Sequence, residues 1–278
     1  MPVEHVVDIK ASYEFCRRIA RSRAKNFYYS FLLLSREQRA AMCAIYAFMR
    51  YCDDISEGEG ASLEAIERWR CDLTLALQGQ YGANLLWPAF HDTVVRFRIP
   101  HEYFYEMIAG VSSDLEPKQL QTFEELYHYC YQVASVVGLT IIHIFGFENP
   151  EALKLAEKCG IAFQLTNILR DVREDRENGR IYIPREDIRK FGADLGLYDD
   201  RFIHLMSFEA QRARGYYDES RPLIGLVDPR SRPSLWALIE IYRRLLARIQ
   251  RSGFNVLETR IRVPTWEKLS ILAGAALR

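Results

Sequence analysis

The spacing of apolar residues between the prolines restricts the fold of this chain more than any other feature. Prolines recur from Pro88 to Pro264, and the segments between them carry apolar residues three and four positions apart. That spacing places apolar side chains on one face of an α-helix, whereas the alternation typical of strands is rare here. The sequence therefore predicts an all-α protein in which residues 1–278 form one domain of about eight to ten helices.

Several helices can be placed from the sequence. The clearest helical segments are 39–50, 62–78, 123–145, 151–173 and 234–251. Ser35 stands three residues before Gln38, which is the capping-box arrangement, so a helix should begin there. The apolar run 133–147 is shorter than the roughly 20 residues that a membrane span needs, which predicts a helix of the core.

Composition limits the class of partner and the compartment. Lys+Arg and Asp+Glu both total 37, so no net charge attracts nucleic acid or an acidic membrane, and any polyanion must meet a local cluster. The 6 cysteines form no CxxC pair, and the chain starts without a charged and then apolar leader. We expect a cytoplasmic protein with reduced thiols, a monomer or weak homodimer, and peripheral contact with the inner membrane face stays open.

Two helices carry acidic residues on one face. Asn167, Asp171 and Asp175 are four residues apart, as are Asp53 and Glu57, with Arg50 on the same side. Oxygen ligands of this kind suit Mg²⁺, which binds one or two carboxylates together with substrate phosphates. Arginines beside the acids suit diphosphate, because a guanidinium matches phosphate oxygens.

These acids have two other interpretations, a solvated surface and a di-iron site. A single pair of acids four residues apart is usually a solvated surface, but both clusters follow strongly apolar segments, 40–49 and 160–169, whose helices should be buried. A di-iron bundle needs two Glu-x-x-His pairs, and only Glu125 with His128 fits. Carboxylates that end two buried helices indicate a metal and diphosphate site.

With both motifs identified, the chain resembles the squalene/phytoene synthase family from about Cys16 to Leu272. The motif "QLTNILRDVREDRENGRIYIP" is similar to the family's second aspartate-rich signature, and "IYAFMRYCDDISE" is similar to its first. "YCYQVASVVG" resembles the central helix of the family, and "AKNFYYSF" resembles its N-terminal diphosphate segment. The resemblance implies the class I isoprenoid synthase fold, an all-α helical bundle around a central cavity.

The resemblance also implies roles for particular residues. Asp53, Glu57, Asn167, Asp171 and Asp175 would bind Mg²⁺, and Tyr131 would supply an active-site hydroxyl. The residues implied to hold the substrate diphosphate are Arg23, Lys25, Arg50, Gln164, Asn167, Arg170, Tyr242 and Arg260. Val133, Ala134 and Gly138 would line the cavity. Glu57, where aspartate is usual, and Asn26, where serine is common, depart from the family pattern.

The family chemistry implies a mechanism. Three Mg²⁺ ions would draw diphosphate from one allylic substrate, and the double bond of a second would attack the cation to give a cyclopropylcarbinyl diphosphate. Aromatic side chains should keep water from the cation. The expected members of that wall are Phe27, Tyr46, Phe48, Tyr131 and Phe163.

The product stays open at this point. The segments "VASVVGLTIIHIFGF" and "CGIAFQLTNILRDV" favour farnesyl diphosphate as substrate and presqualene diphosphate or squalene as product, in hopanoid-type biosynthesis. The alternative is condensation of two geranylgeranyl diphosphates to phytoene, for carotenoids. NADPH would be needed only for squalene, and other isoprenoid enzymes would act downstream. A non-catalytic assembly factor of the same fold should have lost one acidic cluster, and here both remain.

Overall fold

The computed structural model describes residues 8–23, 27–58, 60–115 and 119–277, apart from the side chains of residues 27, 29 and 57. Within these residues there is no strand, only one isolated bridge between Phe147 and Val227. The helices are α1 (Ile9–Arg23), α2 (Phe27–Phe31), α3 (Arg36–Glu57), α4 (Leu63–Leu77), α5 (Leu86–Arg96), α6 (Glu102–Ser113), α7 (Phe123–Cys130), α8 (Val136–Phe145), α9 (Glu151–Glu177), α10 (Arg185–Phe191), α11 (Asp200–Glu219), α12 (Leu223–Leu226), α13 (Arg232–Arg251) and α14 (Thr265–Ala276). A π-helical turn, Tyr131–Ser135, joins α7 to α8.

The predicted all-α fold is confirmed, but the number of helices was underestimated. The described residues form 14 α-helices rather than the eight to ten predicted. Three of them, α2, α10 and α12, have 5, 7 and 4 residues, which is too short to show a helical repeat in the sequence. The capping box of Ser35 and Gln38 is present at the start of α3, and the Ser62 side chain caps α4.

The helices surround a central cavity. α3, α8, α9 and α13 form most of its wall, with α6 and the π-helical turn closing one side. On the outer side of α3, Phe48 packs among four further aromatic rings, those of Trp69, Trp87, Phe90 and Phe104. α11 packs along α9 and supports it from outside. The long helices α3 and α9 are therefore held on both sides, which fixes the positions of the acids they carry.

Glycines let three elements meet closely at the π-helical turn. A Cβ on Gly160 of α9 would lie 2.5 Å from the Ser135 Cα, and a Cβ on Gly110 of α6 would lie 2.7 Å from a methyl group of Val133. Both distances are too short for a side chain, so α6 and α9 approach the turn only because these positions are glycine. This contact sets the distance between the two sides of the cavity.

Residues 123–145 run as one helical segment across α7, the π-helical turn and α8. By length and composition this is the one helix of the described chain that could cross a membrane. Half of its most apolar window is buried inside the fold. The placement agrees with the core helix predicted for the apolar run 133–147.

Candidate active site

The central cavity has a volume of about 480 Å³ and is polar at one end only. α3 contributes Met42, Ile45, Tyr46, Met49, Arg50 and Asp53, and α9 contributes Ala156, Cys159, Gly160, Phe163, Gln164, Asn167, Ile168, Arg170, Asp171 and Asp175. On both helices the acids lie toward the C-terminal end, and the apolar residues lie in the turns before them. The local four-residue spacing thus becomes two acidic edges that face one cavity.

The acids of the cavity are surrounded by arginines. Arg170 donates from its Nε to Asp171 Oδ1 at 2.8 Å and from a second nitrogen to Oδ2. Arg260 reaches the same carboxylate, with 3.0 Å between Nη2 and Oδ1, and also contacts Glu174 at 2.7 Å. On α3, Arg50 pairs with Asp54, and its Nη1 lies 3.9 Å from Asp53. The site therefore contains both the carboxylates that a cation needs and the guanidinium groups that an anion needs.

Two buried polar atoms of this site have no hydrogen-bond partner among the described residues. They are the acceptor Asn167 Oδ1 and the donor Arg50 Nε, and both residues line the cavity. A buried polar atom without a hydrogen-bond partner costs free energy, so these two atoms are positions where a bound ligand atom would be stabilising. An orphaned oxygen suits a cation or its bound water, and an orphaned guanidinium N–H suits a diphosphate oxygen.

The charge around Asp175 also fits a cation. Burial and the nearby Asp171, Glu174 and Asp114 together raise the pKa of this carboxyl to about 7, against the opposing effect of Arg180. Carboxylates that repel one another in a buried site are stabilised when a cation lies between them. In the described part of the chain no three His, Cys, Asp or Glu side chains are close enough to form a metal site alone.

The structure brings together most of the predicted site residues. Those that line the cavity are Arg50, Asp53, Gln164, Asn167, Arg170, Asp171, Asp175 and Tyr242, together with Val133, Ala134 and Gly138. Arg260 reaches the site through its contact with Asp171. Arg23 is exposed at the end of α1, near enough to Tyr46 for its charge to act on that hydroxyl. Glu57 is the last residue of α3, but its side chain lies outside the described residues, as does all of Lys25.

Two expectations about the aromatic wall are wrong, and one cannot be judged. Phe48 is fully buried in the aromatic cluster on the outer side of α3 and does not line the cavity. Tyr131 is also absent from the wall and lies near Glu102, Glu106 and Glu157. Tyr46 and Phe163 do line the cavity, and Phe163 stacks on Tyr242 with 4.2 Å between the rings. The side chain of Phe27 lies outside the described residues.

In the helical segment 123–145, Tyr129 lines the cavity instead of Tyr131. It lies four residues before Val133, so both side chains share a helix face, whereas Tyr131 lies nearly opposite. That spacing from Val133 was the signal in the sequence that would have identified it. Burial raises the pKa of Tyr129 well above its usual value, so the hydroxyl remains protonated and can donate.

Tyr129 belongs to a polar cluster that the sequence did not reveal. Its hydroxyl donates to Asp114 Oδ2 at 3.2 Å, and the Tyr182 hydroxyl donates to Oδ1 at 2.8 Å. The two rings stack with 4.8 Å between centroids, and Arg180 donates to the Asp114 backbone carbonyl at 3.3 Å. All four residues line both the cavity and an adjoining side pocket of about 450 Å³. The cluster comes from three separate segments, which no local pattern connects.

An all-α bundle with two acidic helices facing a long apolar cavity defines the class I isoprenoid synthases. The squalene/phytoene synthase family model matches residues 20–267, and the chain belongs to that family. It is a prenyltransferase that joins two prenyl diphosphates head to head. The predictions of family, fold and enzyme class are therefore confirmed.

Two relatives and one solved structure are similar to nearly the whole chain. A phytoene synthase of Arthrospira platensis is 38% identical over 96% of this chain and 93% of its own. A 15-cis-phytoene synthase of Synechococcus elongatus is 36% identical over 100% of this chain and 96% of its own. Among solved structures, a dehydrosqualene synthase superposes with a TM-score of 0.89 at 28% identity, and the match covers 96% of both chains.

Proposed function

We propose that this enzyme condenses two geranylgeranyl diphosphates head to head to phytoene, through a cyclopropylcarbinyl diphosphate. The phytoene synthases of Arthrospira platensis and Synechococcus elongatus, at 38% and 36% identity over nearly the whole chain, support this product. This similarity carries more weight than the two apolar segments that favoured squalene in the sequence. Those segments line the cavity or lie next to it, and such a position does not identify a product. Formation of phytoene uses no reductant, so NADPH has no part in the proposed reaction.

The observation that carries the proposal is the polarity of the cavity along its length. From Asp171 back to Cys159 the wall follows α9 for about 18 Å, and past Asn167 it is lined mainly by apolar side chains. From Asp53 back to Met42, α3 gives a second wall of about 16 Å. A long prenyl chain fits this shape with its diphosphate among the acids and arginines and its tail among the apolar residues.

We assign the metal ligands to Asp53, Glu57, Asn167, Asp171 and Asp175. Bound there, Mg²⁺ supplies the positive charge that stabilises the departing diphosphate. Arg50, whose buried Nε lacks a partner, donates to a diphosphate oxygen. Arg170 and Arg260, which share the Asp171 carboxylate, are placed to turn toward the same anion when the carboxylate binds a cation.

The remaining residues act on the prenyl chains and on water. Tyr46, Phe163 and Tyr242 give the cation an aromatic wall, whose electron-rich faces tolerate positive charge. The Tyr129 hydroxyl lines the polar end of the cavity and donates its one proton to Asp114. It binds the leaving diphosphate by turning that proton toward a diphosphate oxygen. Exclusion of water by the apolar residues prevents the cation from ending as an alcohol.

The proposed product is tested by incubating the purified enzyme with Mg²⁺ and either farnesyl or geranylgeranyl diphosphate, with and without NADPH. We expect phytoene from geranylgeranyl diphosphate, in equal amounts with and without NADPH. Squalene or presqualene diphosphate as the main product would overturn the choice of phytoene. Absence of diphosphate release from either substrate would overturn the catalytic assignment.

The ligand assignment is tested by Asp171→Asn. The amide keeps the shape of the side chain but removes the negative charge that holds the cation, so we expect turnover to fall by at least about 10³-fold. Glu177→Gln, at the exposed end of the same helix, is the matched control and should remain active. Circular dichroism of both variants should match wild type, and full activity of Asp171→Asn would remove this residue from the ligand set.

A further inference from the structure

The last helix, α14, presents its apolar side to solvent. Trp266 is 69% exposed, Leu269 50% and Leu277 90%. Together with Ala273 they are three or four residues apart, so the four side chains form one stripe along the helix. We call these four residues the α14 stripe. The other exposed positions of the helix, Thr265, Ser270 and Ala276, are uncharged as well.

The charged residues of α14 face the protein. Glu267 is 5% exposed and accepts from Arg244 at 3.1 Å and from Arg248 at 3.0 Å, both on α13. Lys268 is half-buried on the same side. A surface helix normally has the opposite arrangement, with charge outward and apolar residues inward. The ion pairs to α13 therefore fix α14 in an orientation that leaves its uncharged face exposed.

The inner face of α14 is covered by α13. Ile271, Leu272 and Ala275 pack on Ala237 and Ile241 of α13. The residues of the α14 stripe are therefore not the ones that attach this helix to α13. Apolar side chains grouped on one exposed face are typical of a surface that contacts a partner.

Cations border the apolar surface. Leu33 packs against the buried face of α14, and the adjacent Leu32 is 45% exposed. The Arg39 guanidinium donates to the Leu32 carbonyl at 3.1 Å, which places a positive charge beside that leucine. Before α14, the exposed Arg262 lies near enough to Lys268 to help burial lower the lysine pKa. An apolar strip with a tryptophan and flanking cations has the composition of a helix that lies in a lipid interface.

We propose that the α14 stripe, together with Leu32, seats the enzyme on the surface of an anionic phospholipid bilayer. The reason for such a site rests on the proposed function, because the C40 hydrocarbon product has no polar group and leaves the cavity only into an apolar phase. The stripe lies in the membrane interface with Trp266 at the boundary between lipid and water. Arg39 and Arg262 lie toward the anionic headgroups.

The proposal is tested by flotation of the full chain with vesicles of phosphatidylcholine, alone or mixed with phosphatidylglycerol, in the absence of substrate. We expect the wild type to float with the vesicles, more strongly when phosphatidylglycerol is present. Leu269→Glu should bind vesicles at least about tenfold more weakly, because it replaces a leucine side chain buried in lipid by a charged one. Leu75→Glu, which changes a leucine on α4 of 45% exposure, is the matched control and should float like wild type.

Tryptophan fluorescence gives a second readout. Trp69 and Trp87 are buried and Trp236 is partly buried, so among the 4 tryptophans Trp266 alone is largely exposed. We expect vesicles to shift the emission of the wild type to shorter wavelength. Trp266→Phe should abolish that shift while flotation persists.

Several results would overturn the proposal. They are absence of flotation, equal binding by Leu269→Glu and wild type, and equal loss in Leu75→Glu. A dimer in sedimentation velocity that Leu269→Glu dissociates, without vesicle binding, would assign the stripe to a second copy of the chain instead. Because flotation needs no substrate, flotation without condensation would contradict only the proposed reaction, and condensation without flotation would contradict only the membrane site.

Discussion

At the scale of single residues, the polar end of the cavity is organised around Asp114. This carboxylate accepts from the hydroxyls of both Tyr129 and Tyr182, whose rings stack on one another. Two donors and the nearby Arg180 hold it in one orientation beside Asp175, whose pKa it helps to raise. Asp114 therefore both orients the Tyr129 hydroxyl and adds to the negative charge that a cation would neutralise.

Tyr129→Phe tests this arrangement. Loss of the hydroxyl removes a donor at the acidic end of the cavity, so we expect kcat to fall by about 10²-fold with little change in melting temperature. Tyr131→Phe is the matched control, since Tyr131 lies away from the cavity, and it should retain wild-type activity. Equal losses in the two variants, measured as product formed at saturating substrate, would contradict the assignment.

A second buried cluster, remote from the cavity, makes stability depend on pH. Arg212 contacts Glu209 at 2.8 Å and Asp187 at 2.9 Å, and all three side chains are largely buried. Burial and the nearby Asp187 together raise the pKa of Glu209 to about 7, against the opposing effect of Arg212. The ordinary pKa of a glutamate in an unfolded chain is about 4.3. Between that pH and about 7, the folded protein therefore keeps a proton on Glu209 that the unfolded chain has lost.

The sign of the effect follows from this difference. The extra stability is fully present below the unfolded pKa and is lost as pH rises through about 7, by at most about 1.4 kcal/mol per pH unit. Glu209→Gln removes the titrating group, so its free energy of unfolding should vary less between pH 5 and about 8. Urea unfolding at several pH values measures this, and an unchanged slope in the variant would show that Glu209 does not titrate in this range.

At the scale of elements, the π-helical turn and the helices that pack on it set the width of the cavity. Gly110 and Gly160 allow α6 and α9 to touch the turn, and residues of the turn and of α9 then face each other across the cavity. Gln164 and Asn167 follow Gly160 by one and two helical turns. A displacement of α9 at Gly160 would therefore move these side chains and the acids beyond them.

Gly160→Ala should show this coupling. A Cβ there would lie 2.5 Å from backbone of the π-helical turn, so we expect a loss of about 1–3 kcal/mol in the free energy of unfolding and weaker substrate binding. Gly215→Ala, on α11, is the matched control, because nothing lies within 4 Å of its Cβ position. That variant should be stabilised by up to about 1 kcal/mol, and a similar gain for Gly160→Ala would disprove the close contact.

For the molecule as a whole, we expect the depth of the cavity to select the length of the prenyl chain. Met42 lies about three helical turns before Asp53, at the far end of the wall that α3 provides. It is buried with Phe31 and Ile142 nearby in the same lining. We expect side chains at this depth to contact the end of the prenyl chain rather than the diphosphate, and so to control chain length without touching the reacting atoms.

Met42→Trp tests the role of depth. The larger side chain shortens the cavity, so we expect the ratio of kcat/KM for geranylgeranyl to farnesyl diphosphate to fall roughly tenfold or more. Met42→Leu, which nearly conserves volume, should keep the preference of the wild type. Competition between the two substrates measures the ratio, and an unchanged ratio in Met42→Trp would place the end of the chain elsewhere.

The helical fold, the capped start of α3 and the two acidic faces were all predictable from local sequence. These features depend on residues within a few positions of one another, so the helical repeat is enough to predict them. Asn167, Asp171 and Asp175 share a face in any α-helix, whatever surrounds it. Which of these faces meet depends on the packing of helices against one another.

The tertiary structure placed Phe48 in the core and Tyr129 rather than Tyr131 on the cavity wall, because apolar and aromatic residues occupy both sides of these buried helices. It also brought Asp114, Arg180 and Tyr182 together from distant segments and turned the apolar face of α14 outward through the ion pairs of Glu267. Each outcome depends on packing between helices far apart in the chain, and local spacing contains no information about such contacts.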